Sequence, residues 1–316
     1  GIKHVVEEAA YTWFNRLMAI RILAKNGYIP PQLEYESELL HVPIIVGNAR
    51  RGLIPEMAIE NRNQLNDLLK DDSAETEQFA LLITAYCRSN KLLNRVFGRL
   101  NDYTELLLPK NILSGNGFIQ LLNDNGFISD DDYKEAELIG WLYQFYISEK
   151  KDEVFKSFKK KKKAEAEDIP AATQIFTPNW IVKYMVQNTL GRIWLDLNPD
   201  SNIKFKMDFL VENPDAIESE PLVSEVAALK LLDPACGSGH ILVEGFDLLF
   251  DMYMEEGYST REATRSILCN NLYGLDIDLR AAQLANYALL LKAAAKDPTI
   301  LEEDIVPQVY AMPEPH

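Results

Sequence analysis

The chain has little of what would mark several common protein classes. It contains three cysteines, Cys87, Cys236 and Cys269, and none stands at metal-ligand spacing from another. Three thiols without a pairing pattern fit a reduced, cytoplasmic protein. No run of eighteen apolar residues is present, so no membrane span is expected. The start, Gly1-Ile2-Lys3-His4, lacks the short apolar stretch of a secretory signal. Positive charge is scarce: 32 Lys and Arg stand against 48 Asp and Glu, a formal net charge of −16. Phosphate contacts come from Lys and Arg and dominate nucleic-acid affinity, so this chain alone is not expected to grip DNA strongly.

What is present is enough for two cored domains, with 47% hydrophobic residues in 316. Residues 1–148 read as an all-helical domain. Val6, Ala10, Trp13, Leu17, Ile20 and Ala24 recur at helical spacing over 4–25, with Arg16, Arg21 and Lys25 outside the stripe. Asn26-Gly27 and Pro30-Pro31 end that helix. Further helices are expected over 56–70 and 74–89, the latter burying Phe79, Leu82, Ile83 and Tyr86, with Leu92 to Leu100 extending the pattern. Ser129, followed by Asp130, Asp131 and Asp132, predicts a capped helix start reaching about Ser148. The aromatics here, Phe145 and Tyr146 among them, sit at helical spacing and read as core rather than as base-stacking groups. Residues 149–170 form a charged linker or helix extension; acids after Lys159–Lys163 weaken a phosphate-patch reading of the lysines.

Residues 171–316 carry the chemistry, with 196–228, broken by Pro199, Pro214 and Pro221, read as an insertion. Leu229–Leu232 predicts a short buried strand. It runs into Asp233-Pro234-Ala235-Cys236-Gly237-Ser238-Gly239 and then a helix from about Ser238 to Glu256. Strand, glycine turn and helix make a nucleotide-type binding loop, because glycines admit close backbone approach and a helix start offers free N–H groups. The dinucleotide fingerprint is not met, since Leu242 stands at its third small position, and no Lys follows Gly239 as a P-loop requires. Ser259 and Glu262 predict a capping box on a helix to about Cys269. Residues 271–278 then predict a second strand ending in Asp276, an acid placed to accept hydrogen bonds from both hydroxyls of a ribose. Asp278 reads as the N-cap of the helix that follows. Upstream, Thr177-Pro178 reads as an N-cap with proline at the first helical position.

Asp233 to Gly239 after a strand resembles motif I of the S-adenosylmethionine-dependent methyltransferases, in the form of the amino-methylating DNA enzymes. Phe176-Thr177-Pro178 resembles their motif X, and Gly274-Leu275-Asp276-Ile277-Asp278 their motif II. Glu7-Glu8-Ala9-Ala10-Tyr11-Thr12-Trp13-Phe14-Asn15-Arg16-Leu17 and the long helical part resemble the adenine-specific DNA methyltransferases of BREX phage-defence systems (PglX-like). The resemblance covers nearly the whole chain, most firmly 171–296. It implies an α/β fold in which the helical domain precedes the first part of a Rossmann-like methyltransferase sheet. It implies S-adenosyl-L-methionine as cofactor, with Phe176 and Thr177 at its methionine end, Asp233, Ala235, Gly237 and Gly239 in the donor loop, Asp276 on the ribose and Ile277 against the adenine. Transfer would be to N6 of adenine in host double-stranded DNA. Other phage-defence proteins are possible partners, and neither a metal nor a membrane is implied.

One part of that family's site is absent. Methylation of an exocyclic amine there uses Asn/Asp-Pro-Pro-Tyr/Phe, whose oxygens orient the amine while the ring stacks on an extruded base. The only Pro-Pro pair here is Pro30-Pro31, between Ile29 and Gln32. In the order X, I, II this motif comes later, so it is expected beyond His316, and no catalytic residue is assigned within the chain. A first residue other than Met and the absence of a closing element fit a piece of a longer protein, expected to be inactive alone. Two other readings remain: the modification polypeptide of a type I or combined restriction–modification enzyme, and a non-catalytic interaction module. The combined form calls for a Glu-x-Lys nuclease centre placed after a strand, and none is evident.

Overall fold

The computed structural model describes residues 2–100, 103–124, 126–159, 172–173, 177–211 and 223–312. Backbone contacts divide the chain into two units, Gly1–Glu135 and Ala136–His316.

The first unit is helical. Helix α1 (Ile2–Lys25) is followed by α2 (Ile44–Arg50), α3 (Ile59–Leu68), α4 (Glu75–Ser89), α5 (Lys91–Phe97) and α6 (Phe118–Asn123). The second half of α1 is enclosed on every side rather than along one stripe. Leu17, Met18, Ala19, Ile20, Ile22 and Leu23 are all buried, whereas Val6 and Ala10 near its start are exposed. Arg16 and Arg21, expected outside the stripe, are buried as well. Their guanidiniums take up carbonyls that helix ends leave unpaired. Arg16 donates to the Phe97 and Gly98 carbonyls at the end of α5, both at 3.0 Å. Arg21 donates to the Leu122 carbonyl of α6 at 2.8 Å and pairs with Glu34 at 2.8 Å. The apolar pattern of 74–100 is broken at Asn90, whose side chain accepts from Leu93 N–H at 2.9 Å and caps a separate α5. Ser129 and Asp132 bond each other reciprocally, yet the turn they make is a short 3-10 helix, Asp132–Lys134. The expected helix starts instead at Leu138.

That helix, α7 (Leu138–Lys159), opens the second unit and runs past the predicted end at Ser148, so the division between units falls at Glu135/Ala136 rather than at 148/149. Residues 160–170 of the proposed linker lie outside the described residues. Phe145 is 73% exposed and Tyr146 37%, so neither is the core residue its spacing predicted. Helices α8 (Asn179–Val186) and α9 (Arg192–Leu197) follow. Within the stretch read as an insertion, Ser201 and Asn202 bond the Glu255 carboxylate, and Ile203 and Met207 are buried. Residues 212–222 lie outside the described residues.

Three parallel strands, β1 (Leu231–Asp233), β2 (Leu272–Asp276) and β3 (Gln308–Ala311), form a sheet in the order β1-β2-β3. Leu231 pairs with Leu272, and Asp276 with Ala311. The first strand is shorter than Leu229–Leu232 and shifted toward Asp233, since only 231–233 find partners on β2. Helices α10 (His240–Glu255) and α11 (Thr260–Ser266) connect β1 to β2, and α12 (Leu279–Lys296) leads from β2 toward β3. The chain is thus mostly helical with a small parallel sheet, an α/β arrangement consistent with a methyltransferase-like fold. Parallel strands need such crossovers. Leu272 and Val309 are buried, whereas Leu232 and Tyr310 are exposed, so β1 is not the fully buried strand its apolar run predicts. The Ser259–Glu262 capping box and the Asp278 cap on Arg280 N–H form as read.

One polar side chain braces the entry to β1. Asn271, fully buried, donates to the Val226 and Leu229 carbonyls at 2.9 and 2.8 Å and accepts from the Tyr253 hydroxyl at 2.9 Å. Asn271→Ala removes three buried hydrogen bonds, though the Tyr253 hydroxyl keeps Ser266 and the Val226 carbonyl keeps Leu229 N–H. It is expected to lower unfolding stability by about 1–3 kcal/mol, measured by urea titration. The thiols give a second prediction. Burial pushes Cys87 and Cys236 up to about 12, while Cys269 is exposed. A buried, protonated thiol does not react. Thiol titration of the folded protein at pH 8 should therefore find one fast-reacting group, Cys269, and all three only after unfolding.

Candidate functional site

The loop after β1 is held in place by β2. Cys236 N–H donates to the Leu275 carbonyl at 2.9 Å, and Gly237 N–H donates to the Asp276 carboxylate at 2.8 Å. Asp276 takes Asp278 N–H at 2.8 Å on its other oxygen. Each carboxylate oxygen keeps a lone pair for a further donor. The loop turns through Gly237 at φ 54° and Gly239 at φ 94°, left-handed values that glycine adopts without steric cost. A Cβ on Gly239 would also lie 2.9 Å from Cβ of Ala285, so α12 abuts the loop directly.

Asp233 is buried and its carboxylate accepts Ala235 N–H at 3.1 Å, closing the turn. Burial pushes its carboxyl above the usual range, the Ala235 N–H draws it back, and the neighbouring Asp276 charge raises it again. Among the described residues no set of three or more His, Cys, Asp and Glu side chains gathers as metal ligands.

A cavity of about 450 Å³ opens over these strand ends. Thr177, Asp233, Ala235, Gly237, Asp276 and Ile277 line it, which brings together six of the eight residues picked out from sequence. Gly239 serves as the N-cap of α10 rather than as cavity wall. Phe176 lies outside the described residues. Thr177 reaches the cavity, as Thr173 does, but it is not the expected N-cap. Pro178 holds that position, and α8 begins at Asn179 without a side-chain cap. The hydroxyl of Thr177 is therefore not committed to capping.

Sequence reasoning missed the contribution of α7. Spacing alone assigns this helix to the helical domain, whereas Gly140 and Tyr143 pack on the loop and on the residues just after β2. A Cβ on Gly140 would lie 2.8 Å from Ser238 Oγ, so the helix backbone sits against the loop. Buried Tyr143 donates its hydroxyl to Asp278. Gln144 lines the cavity, and its amide meets the His240 ring. The isolated Gly140 in an aromatic-rich helix was the one signal of close approach. Met312, whose N–H donates to the Asp276 carbonyl at 2.7 Å, completes the far wall.

Residues 211–308 match the family described as "MmeI, DNA-methyltransferase domain". The adenine-specific methyltransferase BrxX of Escherichia coli O9:H4 (strain HS) is 40% identical over 332 aligned positions, which take in 99% of this chain and 26% of BrxX. The adenine-specific methyltransferase PglX of Lacticaseibacillus casei (strain Zhang) is 35% identical over 99% of this chain and 28% of its own length. A type II restriction enzyme and methyltransferase of Escherichia coli is 27% identical, over 86% of this chain and 26% of that protein. The chain spans about a quarter of the length of these relatives. Along almost all of its own length, then, this chain is a homologue of the BrxX and PglX adenine-specific methyltransferases.

Proposed function

We propose that this chain is the S-adenosylmethionine-binding portion of a site-specific DNA adenine methyltransferase that modifies host DNA in phage defence of the BREX kind. The observation that carries the reading is the Gly237–Asp276 hydrogen bond at the mouth of the cavity, which sets a glycine turn and a strand-end carboxylate on one ligand-sized space. The three strands are then the first part of a Rossmann-like sheet. Single-module cofactor sites are lined mostly by apolar groups with a few convergent polar ones, and this cavity follows that plan.

The chemistry of the lining residues supports this reading. Asp276 retains acceptor capacity for two ribose hydroxyls, and Ile277, 45% exposed, offers an apolar face to an adenine ring. Thr173 and Thr177 bring hydroxyls to the side from which the methionine end would be held. Phe176 is proposed to join them. When bound, the cofactor supplies an activated methyl group for direct transfer to nitrogen. The protein's part is to hold and orient the donor, and that needs no nucleophilic side chain. The 27% identical type II enzyme favours a second reading, a modification polypeptide of a restriction–modification system. The higher identities of BrxX and PglX favour the first.

Two outcomes are expected. Asp276→Ala removes charge-assisted hydrogen bonds and should weaken S-adenosylmethionine binding by about 1.5–3 kcal/mol, measured by isothermal titration; unchanged affinity contradicts the assignment. The 316-residue chain lacks an Asn-Pro-Pro-Tyr motif to orient an acceptor amine. Positioning supplies much of such a rate acceleration. Methyl transfer to adenine-containing duplex by this chain alone should therefore stay at background, and substantial turnover would refute the point.

A further inference from the structure

Among the described residues of α7, Gln144 is the one that lines the cavity, and its surroundings are unusual. It is 6% exposed, and its Oε1 is buried without a hydrogen-bond partner. A buried acceptor left unpaired is costly, so native structures seldom keep one without a purpose. Its Nε2 meets Nε2 of His240, while Nδ1 of the same ring meets the Glu137 carboxylate. Ser238 Oγ lies 3.3 Å from His240 Nε2.

These contacts fix the orientation of the amide. A carboxylate oxygen accepts, so Nδ1 of the ring is the side that donates to Glu137, and the tautomer is set by that contact. Nε2 is then the acceptor, and the Gln144 NH2 group turns toward it as donor. The opposite orientation would set Oε1 against a lone pair. Glu137 thus acts through His240 to hold the Gln144 oxygen as a committed acceptor.

A donor of the right kind belongs to the amino-acid end of the cofactor. Gln144, Thr173 and Thr177 all precede β1 in the chain and meet the cavity together with His240, the first residue of α10. Ile277 and Met312 meet it from the ends of the second and third strands. We propose that Gln144 Oε1, oriented by the Glu137–His240 pair, accepts a hydrogen bond from the α-ammonium group of the cofactor's methionine end. The inference rests on the cofactor reading above and deepens it. Gln144 is then a binding residue, and Glu137 and His240 are positioning residues.

The test compares two ligands in the 316-residue chain by calorimetric titration. S-adenosylhomocysteine carries the ammonium group, and methylthioadenosine has the same nucleoside without the amino-acid end. Gln144→Leu should lose S-adenosylhomocysteine affinity by about tenfold or more, the effect of one hydrogen bond to a charged group, and leave methylthioadenosine affinity within about twofold. Glu137→Gln should shift S-adenosylhomocysteine binding in the same direction and spare methylthioadenosine. Retained methylthioadenosine binding also reports that the variant is folded. Unchanged S-adenosylhomocysteine affinity in Gln144→Leu overturns the proposal. An equal loss of both ligands overturns it as well, because a structural role would produce that result. Wild-type protein that binds neither ligand overturns the cofactor reading itself.

Discussion

The hydrogen bond from Gly237 N–H to the Asp276 carboxylate is the contact on which the candidate site depends. It joins the turn after β1 to the end of β2, two places separated by the whole of α10 and α11. Beside it, Cys236 N–H on the Leu275 carbonyl makes the same link through backbone alone. The two bonds turn a flexible glycine loop into a fixed wall. They also fix Asp276, whose other oxygen is held by Asp278 N–H. A carboxylate held at both oxygens by backbone donors presents its remaining lone pairs in one direction, which is what recognition of a rigid diol requires.

The packing around this link explains the choice of small residues. Gly239 leaves room for Ala285 of α12, and Gly140 leaves room for Ser238. Gly274, in the middle of β2, has Leu242 of α10 and Cys236 of the loop where its own Cβ would be. Three elements therefore approach the loop at near-backbone distance, and the loop has no space in which to relax. Burial follows: Asp233 and Cys236 are both held in their protonation behaviour by the lack of solvent, with the Asp233 carboxyl raised and the Cys236 thiol at about 12.

Much of this was legible in the residue order, because it is local. Asp233 to Gly239, the Ser259–Glu262 box, the Asp278 cap and the acid at the end of β2 each depend on neighbours a few positions away. The features that were misread depend on distant partners. Ser129 and Asp132 carry a sound helix-start pattern, but the chain departs after one 3-10 turn and α7 begins at Leu138. Thr177-Pro178 has cap composition, yet Pro178 takes the cap position. Arg16 and Arg21 read as solvent-facing because nothing near them in sequence reveals the carbonyls of Phe97, Gly98 and Leu122 that they serve. The same limit hid Gln144, since its partner His240 lies 96 residues away.

The cavity over Asp233, Gly237 and Asp276 is the proposed seat of an adenosyl cofactor. A crystal structure of this chain with S-adenosylhomocysteine tests it most directly. The ribose hydroxyls are expected on the Asp276 carboxylate, the adenine against Ile277 and the amino-acid end beside Thr177 and Gln144. A ligand bound with its ribose away from Asp276, or seated elsewhere on the protein with this cavity empty, would contradict it.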